Sequence, residues 1–311
     1  MQALRYVMLT IGSRGSALAL AQTGWVKDRI LERFPDAGVA IKVIKTSADK
    51  APQVSIRSAS SVGVFVKELE EALQRREIDL AVHSMKDLPG TIPDSLEICV
   101  IPPREDARDA LVAGSGVRVL TDLPHAATIG TGSIRRQAQL LAIRPDFVVR
   151  DIRGNVDTRL QKLADHQYDA VILACAGLNR LGLQARITRP LEFDEMLPAP
   201  GQGALALQSR KGDCDVSSLV APLHDGPTAA AVLAERAFLR QIGGGCNSPV
   251  AVHAAADGDY IRIDGLVAAP DGSRVIRDSI SHLPEHAEDA AGVLADRLLA
   301  RGGRAILQGI R

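Results

Sequence analysis

The 311-residue chain has no surplus of charge of either sign: 37 Lys and Arg stand against 37 Asp and Glu. A nucleic-acid binder normally carries a basic excess, so that class is disfavoured and any basic patch has to be local. No apolar run approaches the roughly 18 residues that a membrane span needs. Residues 1–16, MQALRYVMLTIGSRGS, lack a signal-peptide pattern with a cleavage site, and the expectation is a cytoplasmic protein. Cysteines are few, and Cys99, Cys175, Cys214 and Cys246 form no CxxC pair, which argues against structural zinc and a redox dithiol. Cys99 and Cys175 sit in apolar runs, where a thiol is usually an inert small hydrophobe, and Cys214 lies in the polar stretch KGDCD. His282 and His286 have helical spacing but Pro284 lies between them, so no metal site is expected. There is no GxGxxG or Walker pattern, no internal repeat and no low-complexity segment.

A hydrophobic fraction of 46% with 24% charged residues is that of a globular protein, and the length suits about two or three domains. Strands are expected over residues 6–11 and 39–46, with a turn at 12–16 leading into a helix through Trp25 to Arg33 between them, and a long polar stretch over 47–61. A helix over 64–76 follows, with Phe65, Leu69 and Leu73 as its apolar stripe. Strands over 78–82 and 96–101 lead to Pro102-Pro103, a hinge candidate. Then come strands at 110–112, 128–130, 147–151 and 170–175 with helices at 134–144 and 156–165, an alternation that predicts a mainly parallel sheet. LPAPGQG, residues 197–203, is a second hinge candidate, followed by a short apolar strand over 204–208. Past a linker at 222–227, a helix over 228–241 precedes antiparallel strands at 250–256, 260–268 and 274–281, the last two joined by Pro270-Asp271-Gly272. A helix over 285–299 closes the chain.

The stretch around which this is organised is LAVHSMKDLP, residues 80–89. An apolar run stops at His83, Ser84, Lys86 and Asp87, and ligands of open α/β sheets collect where strands end at their carboxyl edge. Taken alone, Lys86 and Asp87 read as a solvated pair, and His83 reads as a hydrogen-bonded structural group. Arg14 follows the first strand in the turn Gly12-Ser13-Arg14-Gly15-Ser16. Arg135 and Arg136 open a helix after GTGS; Arg153, with Arg159 six residues on, follows the next strand, and Arg180 the one after. Three successive strand exits thus deliver guanidinium groups to one sheet edge, which in a neutral protein implies a polyanionic ligand. Separate surface ion pairs are the plainer alternative. Cys246 follows Gly243-Gly244-Gly245 and is the cysteine that the local sequence presents, either as a free thiol or for covalent attachment.

HSMKD, with VFVKELEEAL before it and REDARDAL, GTGSIRRQ, RGNVDTRL and GGGCNSP after it in order, resembles the hydroxymethylbilane synthase, or porphobilinogen deaminase, family. The resemblance runs from Ile11 to about Arg277. It implies two doubly wound α/β, periplasmic-binding-protein-like domains with a discontinuous chain path, residues 1–102 plus 201–222 and residues 103–200. A smaller α+β domain, residues 223–311, would hold a three-stranded antiparallel sheet. It further implies a monomeric transferase that joins four porphobilinogen molecules into hydroxymethylbilane on a dipyrromethane thioether-linked to Cys246. Asp87 matches the family's catalytic aspartate, stabilising the azafulvenium cation formed when porphobilinogen loses ammonia. Lys86, Ser84, Ser133, Arg135, Arg136 and Arg159 match cofactor-binding positions, and Arg14, Ser16, Arg153 and Arg180 match substrate-binding ones. Arg104 also matches, without a clear role.

Three departures from the family pattern stand out. Ser58 and Val62 occupy loop positions that usually carry lysines, with Arg57 nearby; KTSAD replaces a usual Thr-Arg-Gly-Asp; and Asp157 replaces a common glycine, adding negative charge between Arg153 and Arg159. A paralogue that keeps the cofactor without turnover, and a two-lobed anion-binding module, are the competing readings.

Overall fold

The computed structural model describes residues 8–44, 66–243 and 248–309. The polar stretch with Arg57, Ser58 and Val62, the KTSAD segment and Cys246 lie outside the described residues. In chain order the strands are β1 (Met8–Ser13), β2 (Gly38–Val43), β3 (Leu80–Ser84), β4 (Leu96–Val100), β5 (Asp109–Ala113), β6 (Thr128–Gly130), β7 (Val148–Arg150), β8 (Ala170–Ala174), β9 (Arg189–Leu191), β10 (Leu205–Arg210), β11 (Val250–Asp257), β12 (Tyr260–Ala268) and β13 (Val275–His282). The chain divides into two compact units, Met1–Arg104 with Ala204–Ala229, and Glu105–Gly203 with Ala230–Arg311.

The first unit is built on a sheet ordered β2-β1-β3-β10-β4. Strand alternation divides its apolar residues: Leu80 and Val82 of β3 pack with Leu9, Ile11, Val26 and Ile30 on one face, while Ala81 packs with Leu69 and Leu73 on the other. Both faces are therefore covered, by the helices Ala17–Arg33 and Cys214–Val220 on one side and Lys67–Gln74 on the other. This is why β3 reads as a continuous apolar run rather than an alternating one. The helix Cys214–Val220 is absent from the sequence reading; Asp213 caps it by accepting the Val216 N–H at 3.4 Å.

The second unit holds two sheets. One is ordered β7-β6-β8-β5-β9, with Leu111, Ile129 and Ile172 packed on Leu140 of the helix Ile134–Ile143, and Val112, Val171 and Leu173 packed on Leu160 and Leu178 behind it. The other is the expected antiparallel β11-β12-β13, whose core is filled by Phe238 and Leu294 from the helices Gly226–Ile242 and Ala287–Leu298. Its opposite face places Ala251, Leu266 and Ala268 against Ala138 and Leu197, so it shares a core with the first sheet of the same unit. The hairpin turn falls at Pro270-Asp271-Gly272, and Gly272 takes φ 73°. Instead of one closing helix, Ala287–Leu298 passes through a wide turn at Leu299–Gly303, where Gly302 has φ 110°, into a last short helix Arg304–Gln308.

The expectation of mainly parallel pairing needs correction, because both five-stranded sheets are mixed. Strand β10 is antiparallel to β3 and β4, and β5 is antiparallel to β8 and β9. Each is the first strand after the chain passes from one unit to the other. Neither is joined to its neighbours by the βαβ crossover that would enforce parallel pairing. The pairing of β10 inside the first sheet establishes the discontinuous path. Among the described residues no helix is long and apolar enough to cross a membrane.

Gly203 ends the turn from which the chain leaves the second unit. It has φ 86°, and a Cβ there would collide with the Glu105 carbonyl oxygen, which is backbone and cannot swing aside. Gly203→Ala should cost about 3 kcal/mol from left-handed strain and collision combined. A urea midpoint equal to that of the parent protein would show that the turn relaxes freely.

Candidate active site

In the first unit β1 and β3 run parallel, so their carboxyl ends lie at the same sheet edge. Ser16 follows β1 and caps the helix Ala17–Arg33, accepting the Ala19 N–H at 3.3 Å. Strand β3 ends at Ser84, and a tight turn, Met85–Asp87, buries Met85 and turns Asp87 outward. Arg14, Ser16, Gln22, Ser84 and Asp87 line one pocket whose apolar wall includes Leu18, Leu69 and Val82. Asp87 retains solvent-accessible surface, yet protein surrounds its carboxyl closely enough that desolvation raises it above the usual aspartate range. Lys86 and Arg14 oppose that shift with their positive charge. Ser84 is held by Gln22, whose Nε2 donates to Ser84 Oγ at 2.9 Å while the hydroxyl donates back at 3.3 Å. Gln22 was not singled out in the sequence; its signal was an amide inside an otherwise apolar helical face.

His83 is 5% exposed, and its Nε2 lies 2.9 Å from Gln208 Oε1, while Gln208 Nε2 donates to Glu70 Oε1 at 3.0 Å. Burial lowers its imidazole to about 4, so it is neutral near pH 7 and serves as a fixed donor under the pocket.

In the second unit Ser133, Arg135 and Arg136 lie at the start of the helix Ile134–Ile143. Arg135 and Arg136 are 4% and 6% exposed and share one fully buried carboxylate, Asp109 at the start of β5. Arg135 Nη1 donates to Asp109 Oδ2 at 2.6 Å and to the Leu197 carbonyl at 2.7 Å. Arg136 donates through Nε and Nη2 to Asp109 Oδ1 at 3.1 and 2.7 Å, and through Nη1 to the Ile172 carbonyl at 2.8 Å. Burial alone would raise Asp109, but the two guanidinium groups overcome it and hold the carboxyl well below the usual range. Burial lowers Arg135, against the pull of Asp109. Arg135 Nε has no hydrogen-bond partner among the described residues. Asp109 is not among the residues expected from the sequence, where its signal is a carboxylate opening the apolar strand DALVA inside REDARDAL.

The remaining arginines are spread along the same strand exits. Arg153 Nε donates to Asp151 at 2.8 Å in a partly exposed pair, as the plainer alternative anticipates. Arg159 donates to the Gly154 carbonyl at 2.8 Å; burial and then repulsion from Arg136 lower it. Arg180 donates to the Gly203 carbonyl at 2.7 Å, and burial lowers it to about 10. Cys175 is buried at the end of β8, where desolvation raises its thiol to about 12, in keeping with an inert role. Among the described residues no group of His, Cys, Asp and Glu could hold a metal ion.

Two family models match this chain: "Porphobilinogen deaminase, dipyromethane cofactor binding domain" over residues 9–218, and "Porphobilinogen deaminase, C-terminal domain" over residues 229–300. The chain belongs to the porphobilinogen deaminase family. The porphobilinogen deaminase of Roseiflexus castenholzii is 47% identical over 97% of this chain and 99% of its own length. That of Thermus thermophilus is 48% identical over 98% of this chain and 99% of its own. Among solved structures, a probable amino-acid ABC transporter extracellular-binding protein, YtmK of Bacillus subtilis, is 11% identical over 70% of this chain and 90% of that one, with TM-score 0.41. The donor chemistry fits a dipyrromethane, whose rings bear carboxylates and N–H groups. Within the first unit Arg14 and Lys86 are cations that suit such carboxylates, and Asp87 is an acceptor that suits ring N–H groups. Within the second unit Arg135 Nε is a buried donor with no hydrogen-bond partner among the described residues.

The folded-state value of His83 lies below its unfolded value of about 6.5, so its contribution to stability is complete above pH 6.5 and is lost as pH falls toward 4. The loss should be on the order of 2–3 kcal/mol. His83→Gln should remove that part of the slope in urea denaturation between pH 7 and 4; an unchanged slope would assign it to other groups.

Proposed function

We propose that this chain is a cytoplasmic, monomeric hydroxymethylbilane synthase that carries its dipyrromethane through a thioether to Cys246. The observation that carries the reading is 47% and 48% identity to two porphobilinogen deaminases over nearly the whole of each chain. Each porphobilinogen loses ammonia, breaking a C–N bond, and gains a C–C bond to the growing chain; four rounds followed by hydrolysis give hydroxymethylbilane. When bound, the dipyrromethane supplies the pyrrole carbon to which the first ring is joined.

The chain's own residues supply charge and placement. Asp87 stabilises the ring cation left when ammonia departs and moves protons at the ring nitrogens. It has to be ionised for this, and Lys86 and Arg14 counter the desolvation that would protonate it. Arg14, Ser16, Arg153 and Arg180 take substrate carboxylates. Lys86, Ser84, Ser133, Arg135, Arg136 and Arg159 take those of the cofactor. Asp157 is exposed in the first turn of the helix Val156–Ala164, where a carboxylate favours the helix dipole. The same charge weakens anion binding by Arg153 and Arg159.

The test is direct. Protein incubated with porphobilinogen should give the colour of a pyrrole with an aldehyde reagent and an intact mass raised by the adduct. An unmodified mass with no turnover would remove the enzyme reading. Asp87→Asn should keep the adduct and lose at least about a hundredfold in kcat, whereas unimpaired turnover would relieve Asp87 of its role. Cys246→Ser should fail to assemble the thioether, and an intact adduct in that variant would place the attachment elsewhere.

A further inference from the structure

The structure assigns a positioning role to Gln202, which orients the Asp109 carboxylate and through it the Arg135–Arg136 pair; this rests on the reading that the pair meets pyrrole carboxylates. Gln202 is 1% exposed, and its Nε2 donates at 2.8 Å both to Asp109 Oδ1 and to the Ala107 carbonyl two residues earlier. One amide thus ties a carboxylate to the backbone of the segment that bears it, fixing the plane of the acid.

That plane decides what each arginine can offer. Asp109 Oδ1 receives Gln202 Nε2 and both Nε and Nη2 of Arg136, whereas among the described residues Oδ2 receives only Arg135 Nη1. Arg136 has therefore turned its Nε/Nη2 edge inward. Arg135 is held by Nη1 between Asp109 and Leu197, and its Nε has no partner among the described residues although the residue is 96% buried. The Nε/Nη2 edge is the fork that matches a carboxylate bidentately. Two cations around one anion also leave a buried excess of one positive charge, which is costly until an anion arrives. Without the Gln202 amide, Oδ1 would lose a donor and the acid could rotate toward Arg135, drawing the open fork inward.

The turn that carries Gln202 is itself anchored. Glu235, fully buried, accepts the Gly201 N–H at 2.6 Å and the Ala254 N–H at 2.7 Å, joining this turn to β11. Gln202 is thus fixed from its backbone, as a positioning group has to be, and the role requires no contact with substrate.

The test uses holoprotein of Gln202→Met, which keeps the volume and removes the donor, and Gln202→Glu, which sets a second acid beside Asp109. Because the pair holds the cofactor's carboxylates, a slackened pair leaves the cofactor ring misplaced where porphobilinogen has to dock, and Gln202→Met should raise KM for porphobilinogen about tenfold, as loss of a hydrogen bond to a charged group would, with kcat within about threefold of the parent. Gln202→Glu should raise KM further, because a second carboxylate competes for the guanidinium groups. A parental KM in both variants would overturn the assignment. So would a fall in kcat that merely follows a lowered thermal midpoint, since that would leave Gln202 a structural group. If Gln202→Met fails to fold, Gln202→Glu, which keeps an acceptor of similar size, carries the same comparison. Adduct and turnover in the parent protein are measured alongside, so that failure of the enzymatic reading itself is recognised separately.

Discussion

The second unit depends on one buried carboxylate. Asp109 has no exposed surface, and its two oxygens receive donors from Arg135, Arg136 and Gln202. Taking those charges out of water is unfavourable unless every lone pair is matched, and removing one partner of such a set typically costs about 3–5 kcal/mol. The matching here comes from three places in the chain: the start of β5, the start of the helix Ile134–Ile143, and the turn before β10. Each is a strand exit or entry near a sheet edge. The fold brings them together because β5, inserted antiparallel beside β8, presents its first residue where β8 ends, in the register Asp109↔Ala174.

That insertion is the structural return on a discontinuous chain. A purely parallel doubly wound sheet brings only carboxyl ends of strands to its ligand edge. By entering β5 and β10 in reverse, this chain brings amino ends there as well. Asp109 is one result, and the pairing of Leu205 with Ser84 in the first unit is the other. Strand starts after an inter-unit crossing are therefore as informative as strand ends, and they carry groups that a search for βα exits overlooks.

Much of this could be read from the residues. Strand positions other than β9, the hairpin at Pro270-Asp271-Gly272 and the concentration of arginines at successive strand exits followed from apolar runs, turn chemistry and charge. Pairing direction did not, because β5 and β10 have the same apolar composition in either orientation. The helix Cys214–Val220 was hidden by its polar start, where only Asp213 marks a cap. The cations at strand exits were legible in the sequence, whereas Asp109 and the amides were not. Gln22, Gln202 and Gln208 each act by hydrogen-bonding a residue far away in sequence, such as Ser84, Asp109 or His83, and local pattern carries no trace of such a partner.

His83 and Asp87, four residues apart, show how a single strand end separates a buried titratable group from an accessible one. His83 is still within β3, so its side chain is committed to the protein interior, where desolvation keeps it neutral and Gln208 fixes its ring. Asp87 lies beyond the last paired residue, in a turn that releases it to the pocket, where Lys86 and Arg14 act against desolvation. The imidazole is the more usual proton carrier near pH 7, but burial has lowered it to about 4 and enclosed it. The carboxyl is shifted upward and remains accessible. In a chain of zero net charge the cations gather at strand exits, and acids stand among them: Asp151 pairs with Arg153 one to one, while at the buried Asp109 two guanidinium groups outnumber the single carboxylate.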